Sequence, residues 1–508
     1  MMVAPDESAS LVHGLDGTEA KKDATKPAET KPEPPAPPKR FVTTHKGSFH
    51  GQKIAYTTTA GETHLKDGAG KPRASIFSVG YVKDGEGDPG RRPVTFLFNG
   101  GPGSASLWLH LGVFGPKRLA VPSDGRNAGT APYPLVDNPH CALDLTDLVF
   151  IDPVGTGYSR AIGEAKAEDF WGLDVDASTM ADFIRQWLTD NKRWASPLYL
   201  AGESYGTTRA VAVAGKLHGG LSNVALNGLA LISVIIDFHT ARFEKGNPLP
   251  DACFLPTCAA AAIYHGVIKV KAADRDKFLE EVRAFAIEEY LPAMLLGHRL
   301  DKAKRKHVLA KLARFTGLSE AWLERTNLRV EPTRFRKELL RDRGQTIGRL
   351  DTRYLGEDYD DAGEFPEADP AGYAIAGAYT AAMNDYLTRT LTVDMDRPYT
   401  VFNMEALRTW DWYGPKDKAQ PRWPGYVNVA PELGRVQREN PALKVLMANG
   451  LYDLATPFFA VETTIAGNGI DAGRIDMTYY EAGHMMYVHE PSLKQLVDDF
   501  RRLVSGKK

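Results

Sequence analysis

Ser204 is the residue whose surroundings most clearly suggest chemistry. It lies at the centre of Gly202-Glu-Ser-Tyr-Gly206, between a strand-like run (197–201) and a helix-like run (207–216). A serine on a sharp strand-to-helix turn exposes its hydroxyl at the top of a sheet, and flanking glycines make room for the turn. The alternative is an ordinary turn whose serine caps a helix. The context makes Ser204 a candidate nucleophile.

A serine nucleophile needs a base and a carboxylate that orients the base, and α/β-hydrolases supply them in the chain order Ser, Asp or Glu, His. Asp453 follows the apolar run 443–448, and His484 follows the strand-like run 475–480. The carboxyl ends of parallel strands meet at one edge of a sheet, so we expect both side chains there. Each residue alone is typical of a turn aspartate or an ordinary histidine. The joint order predicts a triad with Ser204.

A glycine-rich turn supplies a candidate oxyanion hole. The apolar run 94–98 ends in Asn99-Gly-Gly-Pro-Gly-Ser104, which is too rich in glycine for regular structure. Acyl transfer builds negative charge on the carbonyl oxygen, and loss of one backbone donor to that oxygen costs roughly 2.7–4 kcal/mol. We assign the two donors to the N–H groups of Gly101 and Tyr205. The alternative is a plain loop that joins a strand to a helix.

Five ordered segments together resemble the serine carboxypeptidase family, and the resemblance covers most of the chain from about residue 40. The segments are Asn99–Ser106, Asp147–Ser159, Gly202–Gly206, Asn449–Asp453 and Gly483–Met485. The phrases at 254–256, 348–353 and 448–457 make the chain look most similar to the bacterial branch of that family.

The resemblance implies an α/β-hydrolase fold and a serine carboxypeptidase that acts on peptides without a metal or cofactor. It also implies that Asn99 and Glu203 bind the free C-terminal carboxylate of the substrate. A carboxylic acid beside a substrate carboxylate can share one proton with it, so we expect the fastest cleavage in mild acid. The alternative for Glu203 is a solvated glutamate at a helix entry.

Two departures from the family pattern reduce the expected carboxylate site. Where the family usually has Trp and Glu, this chain has Leu97 and Val113, and Ser104 stands where Cys is common. An esterase or acyltransferase with the same triad is therefore the second hypothesis. A third is a non-catalytic binding protein, but the intact set of Ser204, Asp453 and His484 argues against it.

The elements around these residues indicate an α/β protein with a mostly parallel central sheet, because strand-like and helical segments alternate. We expect seven strands, and we interpret residues 85–90 as a hairpin loop that places antiparallel strands first. Residues 237–421 become mainly helical, as in a cap inserted over an active site. The segment 348–353 either faces that cleft or forms a salt bridge between Asp351 and Arg353.

Composition divides the chain further. Residues 1–39 are rich in Pro, Lys, Glu and Ala, which predicts a disordered tether. The expected core then spans 40–236 and 422–508, on either side of the cap at 237–421. No apolar region typical of a signal peptide is visible, which leaves either an intracellular protein or a sequence that begins after a cleavage site. The resemblance to exported bacterial members favours a periplasmic or secreted protein.

The remaining composition excludes several classes of partner. With 508 residues, 43% hydrophobic and 25% charged, and a net charge of −2, the chain is typical of a globular protein without a nucleic-acid or acidic-membrane partner. No apolar run reaches the roughly 18 residues of a membrane span. Cys253 and Cys258 could close a small loop or remain two buried thiols, and with Cys141 the odd number leaves at least one cysteine free. His, Cys and Asp residues nowhere cluster at the spacing of a zinc site. The sequence does not indicate an oligomeric state.

Overall fold

The computed structural model describes residues 35–85, 87–219, 223–413 and 425–506. Of the expected tether at 1–39, residues 1–34 lie outside the described residues. At its end, Lys39 already joins the folded body, because its backbone N–H donates to the Glu62 carboxylate at 3.0 Å.

One large twisted sheet organises the described chain. Its strands run in the order β1-β2-β3-β7-β4-β9-β10-β13-β14, and β8 pairs with β3. The strands are β1 (Arg40–Phe49), β2 (Gln52–Lys66), β3 (Pro72–Lys83), β4 (Val94–Phe98), β5 (Lys117–Leu119), β6 (Leu135–Asp137), β7 (Asp147–Ile151), β8 (Arg160–Ala161), β9 (Leu198–Glu203), β10 (Gly228–Ile232), β11 (Thr346–Ile347), β12 (Leu355–Gly356), β13 (Lys444–Gly450) and β14 (Ile475–Tyr480).

The sheet has an antiparallel start and a parallel body. Strands β1, β2, β3 and β7 pair antiparallel, whereas β7, β4, β9, β10, β13 and β14 are all parallel neighbours. The seven expected strands are present, and β1, β2 and the two-residue β8 are additional strands of this sheet. Residues 85–90 are not a hairpin loop, because β3 and β4 are not paired: β7 lies between them.

Helices cover both faces of the sheet. They are α1 (Leu107–Leu109), α2 (Leu173–Asp190), α3 (Tyr205–Leu217), α4 (Leu249–Tyr264), α5 (Arg275–Phe285), α6 (Leu291–Leu296), α7 (Lys302–Thr316), α8 (Glu320–Arg325), α9 (Pro332–Glu338), α10 (Pro370–Asp385), α11 (Met404–Thr409), α12 (Ala430–Glu439), α13 (Phe458–Gly467) and α14 (Glu490–Ser505).

Two apolar clusters fill the space between helices and sheet. Because side chains alternate along a strand, Phe96 and Phe98 of β4 point to the face covered by α2 and α3, and Leu97 points to the face covered by α14. This is the α/β-hydrolase fold, with a mostly parallel central sheet between two layers of helices.

The helices from α4 to α9 have an apolar cluster of their own. Its members include Phe285 and Leu312, and it extends to Leu451 and Phe458 at the end of the parallel sheet. The later part of the insertion, by contrast, packs into the clusters of the sheet, through α10 and through Trp410. The proposed cap at 237–421 therefore comprises two differently packed parts, and its boundaries stay a prediction.

The three cysteines are free, buried thiols. Cys253 and Cys258 both lie on α4, five positions apart, and do not close a loop. They contribute to the apolar cluster of α4 to α9 as small hydrophobic side chains. No helix within the described ranges is long and apolar enough to cross a membrane.

Candidate active site

The turn at Ser204 joins β9 directly to α3 and has an unusual backbone. Ser204 adopts φ +62° and ψ −130°, and its side chain is only partly buried. A Cβ atom on Gly202 would lie 2.1 Å from the carbonyl oxygen of Gly206, and one on Gly206 would lie 2.8 Å from that of Phe98. Both glycines are therefore required, as the sequence pattern indicates, and the serine is held in a strained conformation at the sheet edge.

Asp453 and His484 lie side by side beyond β13 and β14. His484 Nδ1 is 2.7 Å from Asp453 Oδ2, and both residues are buried. The other Asp453 oxygen accepts hydrogen bonds from the backbone of Ala455 and Thr456 at 2.7 and 3.0 Å, so the carboxylate is fixed in place. With Nδ1 donating to Asp453, Nε2 of the neutral ring carries the free lone pair.

Burial disfavours the charged form of His484, but the charge of Asp453 and its hydrogen bond outweigh burial, so the pKa of His484 is raised. The ring is thus a stronger base than a free imidazole. Among the described residues no hydrogen bond joins Ser204 to His484; such contacts commonly tighten only when substrate binds.

The segment 348–353 holds the acid and base loops together. The carbonyl groups of Arg349 and Leu350 accept hydrogen bonds from the backbone of Leu454 (3.0 Å) and His484 (2.6 Å). Asp351 accepts from the backbone of Gly483 at 3.0 Å and forms the expected ion pair with Arg353 at 2.6 Å, with both partners almost fully buried. We call this segment the clamp, because it contacts the loops of both Asp453 and His484.

The glycine-rich turn after β4 packs against the nucleophile turn. A Cβ atom on Gly100 would lie 2.5 Å from the backbone nitrogen of Tyr205, so only glycine permits this approach. Gly101 is exposed and has φ +98°. The structure thus brings the two expected oxyanion donors, Gly101 and Tyr205, to neighbouring backbone segments beside Ser204.

Glu203 is buried and hydrogen-bonded on two sides. Asn99 Nδ2 donates to Glu203 Oε2 at 3.1 Å, and the Tyr487 hydroxyl lies 2.9 Å from the same oxygen. Burial raises the pKa of Glu203 to about 7, although the nearby His484 and these hydrogen bonds oppose the rise. Glu203 is therefore not a solvated residue at a helix entry. Leu97 and Val113 are both fully buried and apolar, so neither adds a polar group to this site.

Tyr487 belongs to this cluster but is absent from the sequence-based prediction. Its ring packs against Gly112, where a Cβ atom would lie 2.3 Å from the ring. Its hydroxyl supplies the proton donor that Val113 cannot. Its place three residues after His484, in a short helical turn, was the available signal.

Arg209 is a second residue that sequence reasoning missed. It is fully buried on α3, pairs with Asp176 of α2 at 2.7 Å and donates to the backbone carbonyl of Asn99. The rings of Phe98 and Tyr205 pack on its guanidinium. A single buried cation therefore connects the nucleophile helix to the turn that carries Asn99 and Gly101. An arginine among the apolar residues of α3 was the signal.

The site thus brings together a serine on a strained turn, a histidine paired with a carboxylate, and a glycine-rich turn at one edge of the sheet. In the described part of the chain, no group of three or more His, Cys, Asp or Glu residues is arranged to hold a metal ion. Residues 80–272 match the family model of the serine carboxypeptidases. The model therefore matches the part of the chain that carries Asn99, Glu203 and Ser204.

Curated serine carboxypeptidases are similar to parts of the chain. Serine carboxypeptidase-like 44 of Arabidopsis thaliana is 29% identical over 203 residues, which are 39% of this chain and 37% of that protein. The pheromone-processing carboxypeptidase KEX1 of Cryptococcus gattii is 32% identical over 168 residues, which are 31% of this chain and 24% of that protein. The chain thus matches well under half the length of these curated relatives.

A solved structure shares the fold over a longer stretch. The prohormone-processing carboxypeptidase KEX1(delta)p of Saccharomyces cerevisiae superimposes with a TM-score of 0.53 at 16% identity, covering 88% of this chain and 91% of the other. At this identity the likeness concerns the fold alone.

Proposed function

We propose that this protein is a serine carboxypeptidase that releases C-terminal amino acids from peptides through an acyl-enzyme. The observation that carries the proposal is the position of Glu203. This residue directly precedes Ser204, and its buried carboxyl is held by Asn99 and Tyr487. A protonated carboxyl in that place can bind a substrate carboxylate and set the last peptide bond before the serine.

In the proposed reaction, Ser204 Oγ attacks the carbonyl carbon and His484 Nε2 takes the hydroxyl proton. The backbone N–H groups of Gly101 and Tyr205 bind the oxygen that becomes negative. The C–N bond then breaks, and His484 gives its proton to the leaving amine. Water, deprotonated by His484, hydrolyses the acyl-enzyme and restores Ser204. Asp453 keeps the proton of His484 on Nδ1 throughout.

The pKa shifts refine the expected pH dependence. The productive enzyme has a neutral His484 and a protonated Glu203. An inactive form, with His484 as imidazolium and Glu203 as carboxylate, carries the same number of protons. The two groups therefore titrate as a coupled pair, and only part of the singly protonated enzyme is active. The pKa of His484 is raised and that of Glu203 rises to about 7. Peptide cleavage should therefore follow a narrow bell with its alkaline decline near neutral pH. An ester without a free carboxylate needs only neutral His484.

An esterase or acyltransferase is the second candidate. The observation that favours it is the pair of fully buried apolar residues, Leu97 and Val113, where the family usually has polar or aromatic groups. The same triad would act on a substrate that has no free carboxylate. The two candidates differ in what they require of Glu203.

Cleavage of a peptide with a free C-terminus should be compared with cleavage of its amidated twin by mass spectrometry. We expect loss of single C-terminal residues from the free acid and much slower reaction of the amide. Ser204→Ala is the matched control and should release nothing. Equal rates for both peptides would support the esterase candidate and remove the carboxypeptidase.

Peptides are the proposed substrates, and a periplasmic or secreted location is proposed from the resemblance to exported bacterial members of the family. Cell fractionation of the natural host with an antibody against this protein tests the location. Recovery with cytoplasmic markers would contradict it.

A further inference from the structure

An exposed corner of the helical insertion combines leucines with a high density of cations. It lies where α6 ends, a short turn at Gly297–Arg299 follows, and α7 begins. Leu295 and Leu296 are 64% and 37% exposed, and Ile287 in the preceding turn is 40% exposed. We call residues 295–306 the basic corner.

The charge of the basic corner is strongly one-sided. Its sequence contains five lysine or arginine residues and one aspartate, although the whole chain has a net charge of −2. Arg305 pairs with Glu324 at 2.6 Å, and Lys304 approaches Asp301 only at 3.9 Å. Arg299, Lys302 and Lys306 are exposed and have no carboxylate within ion-pair distance in the described chain. Composition alone did not reveal this concentration of charge.

Neighbouring salt bridges leave these cations free for another partner. On the following turns of α7, His307 and Lys311 both contact Glu289, and Arg314 contacts Glu281. Glu281 and Glu289 of the preceding helical segments are thus engaged along the body of α7 and not at its N-terminal end. Cations accumulate where the leucines are exposed.

We propose that the basic corner docks the protein onto an anionic lipid surface. Exposed leucines can enter the interface between head groups and acyl chains, while lysine and arginine remain with the phosphate groups. Anionic lipid matches both features, because nucleic acid satisfies the cations but does not need Leu295 and Leu296. This inference does not depend on the proposed peptidase activity.

Flotation of the whole protein with lipid vesicles tests the proposal. We expect binding to vesicles that mix phosphatidylcholine with phosphatidylglycerol, weak binding to phosphatidylcholine alone, and loss of binding as salt is raised. The double variant Lys302→Glu/Lys306→Glu should weaken binding about tenfold or more. Leu295→Glu should weaken binding about tenfold, because the leucine no longer enters the interface.

Matched controls lie on β1 and β2, away from the corner. Val42 is 54% exposed, so Val42→Glu tests the loss of a surface aliphatic group, and Lys46→Glu/Lys53→Glu tests the loss of two exposed charges. We expect these variants to float like the wild type. All variants should keep their melting temperature, since every substituted side chain is exposed.

Three results would overturn the proposal. They are no binding to the anionic vesicles, equal weakening by the control and corner variants, and insensitivity of vesicle binding to Leu295→Glu. Direct binding of polyglutamate or duplex DNA that is equally tight in wild type and in Leu295→Glu would assign the basic corner to an acidic macromolecule instead.

Discussion

Glu203 and Ser204 are consecutive residues with separate surroundings. Glu203 is the last residue of β9; it is buried and accepts hydrogen bonds from Asn99 and Tyr487. Ser204 occupies the turn and is partly exposed. The change of backbone direction at Ser204 places the buried Glu203 carboxyl beside the proposed nucleophile, with no hydrogen bond between the two side chains. We therefore expect mutations to alter the proposed carboxylate binding and the proposed acyl transfer separately.

Arg209 should act as a positioning residue for the turn that carries Asn99 and Gly101. Its removal alone leaves Asp176 buried without a partner, which costs about 3–5 kcal/mol, so the paired variant Arg209→Met/Asp176→Leu is more informative. We expect it to fold with a stability within about 2 kcal/mol of wild type. Its kcat should fall about 100-fold, because an active-site displacement near 1 Å has that effect.

Steady-state kinetics and thermal melting measure the two quantities. Ala212→Ser, on the same helix, serves as a control for substitution in α3 and should retain activity. A paired variant with unchanged kcat for both peptide and ester would show that the Asn99 turn keeps its geometry without Arg209.

At this scale, the sequence predicted the residues whose local motifs are distinctive and missed those defined by distant contacts. Ser204, Asp453 and His484 were chosen from their flanking strands, and the structure places Asp453 next to His484. Their catalytic roles stay predictions. Tyr487 and Arg209 meet their partners only after folding, since Glu203 is 284 residues from Tyr487 and Asn99 is 110 residues from Arg209.

Among the elements, the clamp at 348–353 links two loops that follow different strands. Its ion pair was expected from sequence as one of two alternatives, and the structure shows Asp351 and Arg353 paired beside Gly483. The contact with the His484 loop could not be predicted, because it depends on where the helical insertion returns to the sheet.

Asp351→Ala should disturb both loops at once. It leaves the Arg353 guanidinium buried without its carboxylate and removes the acceptor of the Gly483 N–H, which together cost about 3–5 kcal/mol. We expect a lower melting temperature and a parallel loss of kcat for peptide and ester, because both substrates use Asp453 and His484. Asp385→Ala breaks an exposed pair with Arg389 and should change neither quantity. Selective loss of peptide cleavage in Asp351→Ala would contradict the clamp.

Strand prediction succeeded where runs are apolar and failed where they are not. The central parallel strands, such as β4 and β10, are buried on both faces and consist of continuous apolar runs. The edge strand β1 alternates between exposed and half-buried positions and contains few apolar residues. The loop 85–90 resembles a hairpin locally, but the position of β7 between β3 and β4 is a property of the whole sheet.

For the whole molecule, the α/β-hydrolase fold was predicted correctly from alternating elements and ordered motifs. The division of the helical insertion was not predicted, because the packing of α10 against the sheet is not visible in the periodicity of its sequence. The free energy of unfolding should also depend on pH, because ionisable groups are buried within the core. Composition alone does not reveal which groups are buried.

Asp152 should make the stability of the whole protein depend on pH. It is buried, accepts hydrogen bonds from the Ser106 backbone (2.8 Å) and the Tyr399 hydroxyl (3.2 Å), and burial raises its pKa to about 7. The unfolded state loses this proton near pH 3.9, so the contribution of Asp152 to stability falls as pH rises from about 4 to about 7.

Asp152→Asn should remove this term. We expect stability similar to wild type near pH 4 and higher by roughly 1–3 kcal/mol near pH 8, as measured by urea unfolding. Glu203 has a pKa shift of the same sign and should leave a smaller residual slope in the variant. A variant that is less stable than wild type at pH 8 would show that the ionised carboxylate is stabilised in the folded protein.

The most direct test of the central claim is the pH dependence of kcat/KM for a peptide and an ester, in wild type and in Glu203→Gln. For wild type we expect a bell for the peptide that declines through about pH 7, and an ester profile that stays high above it. Glutamine cannot ionise, so the variant should lose the alkaline decline for peptides. The acid limb should also move to lower pH for both substrates, since the charge of Glu203 contributes to the raised pKa of His484. Coincident peptide and ester profiles in wild type, unchanged by Glu203→Gln, would contradict carboxylate recognition by Glu203 and with it the carboxypeptidase assignment.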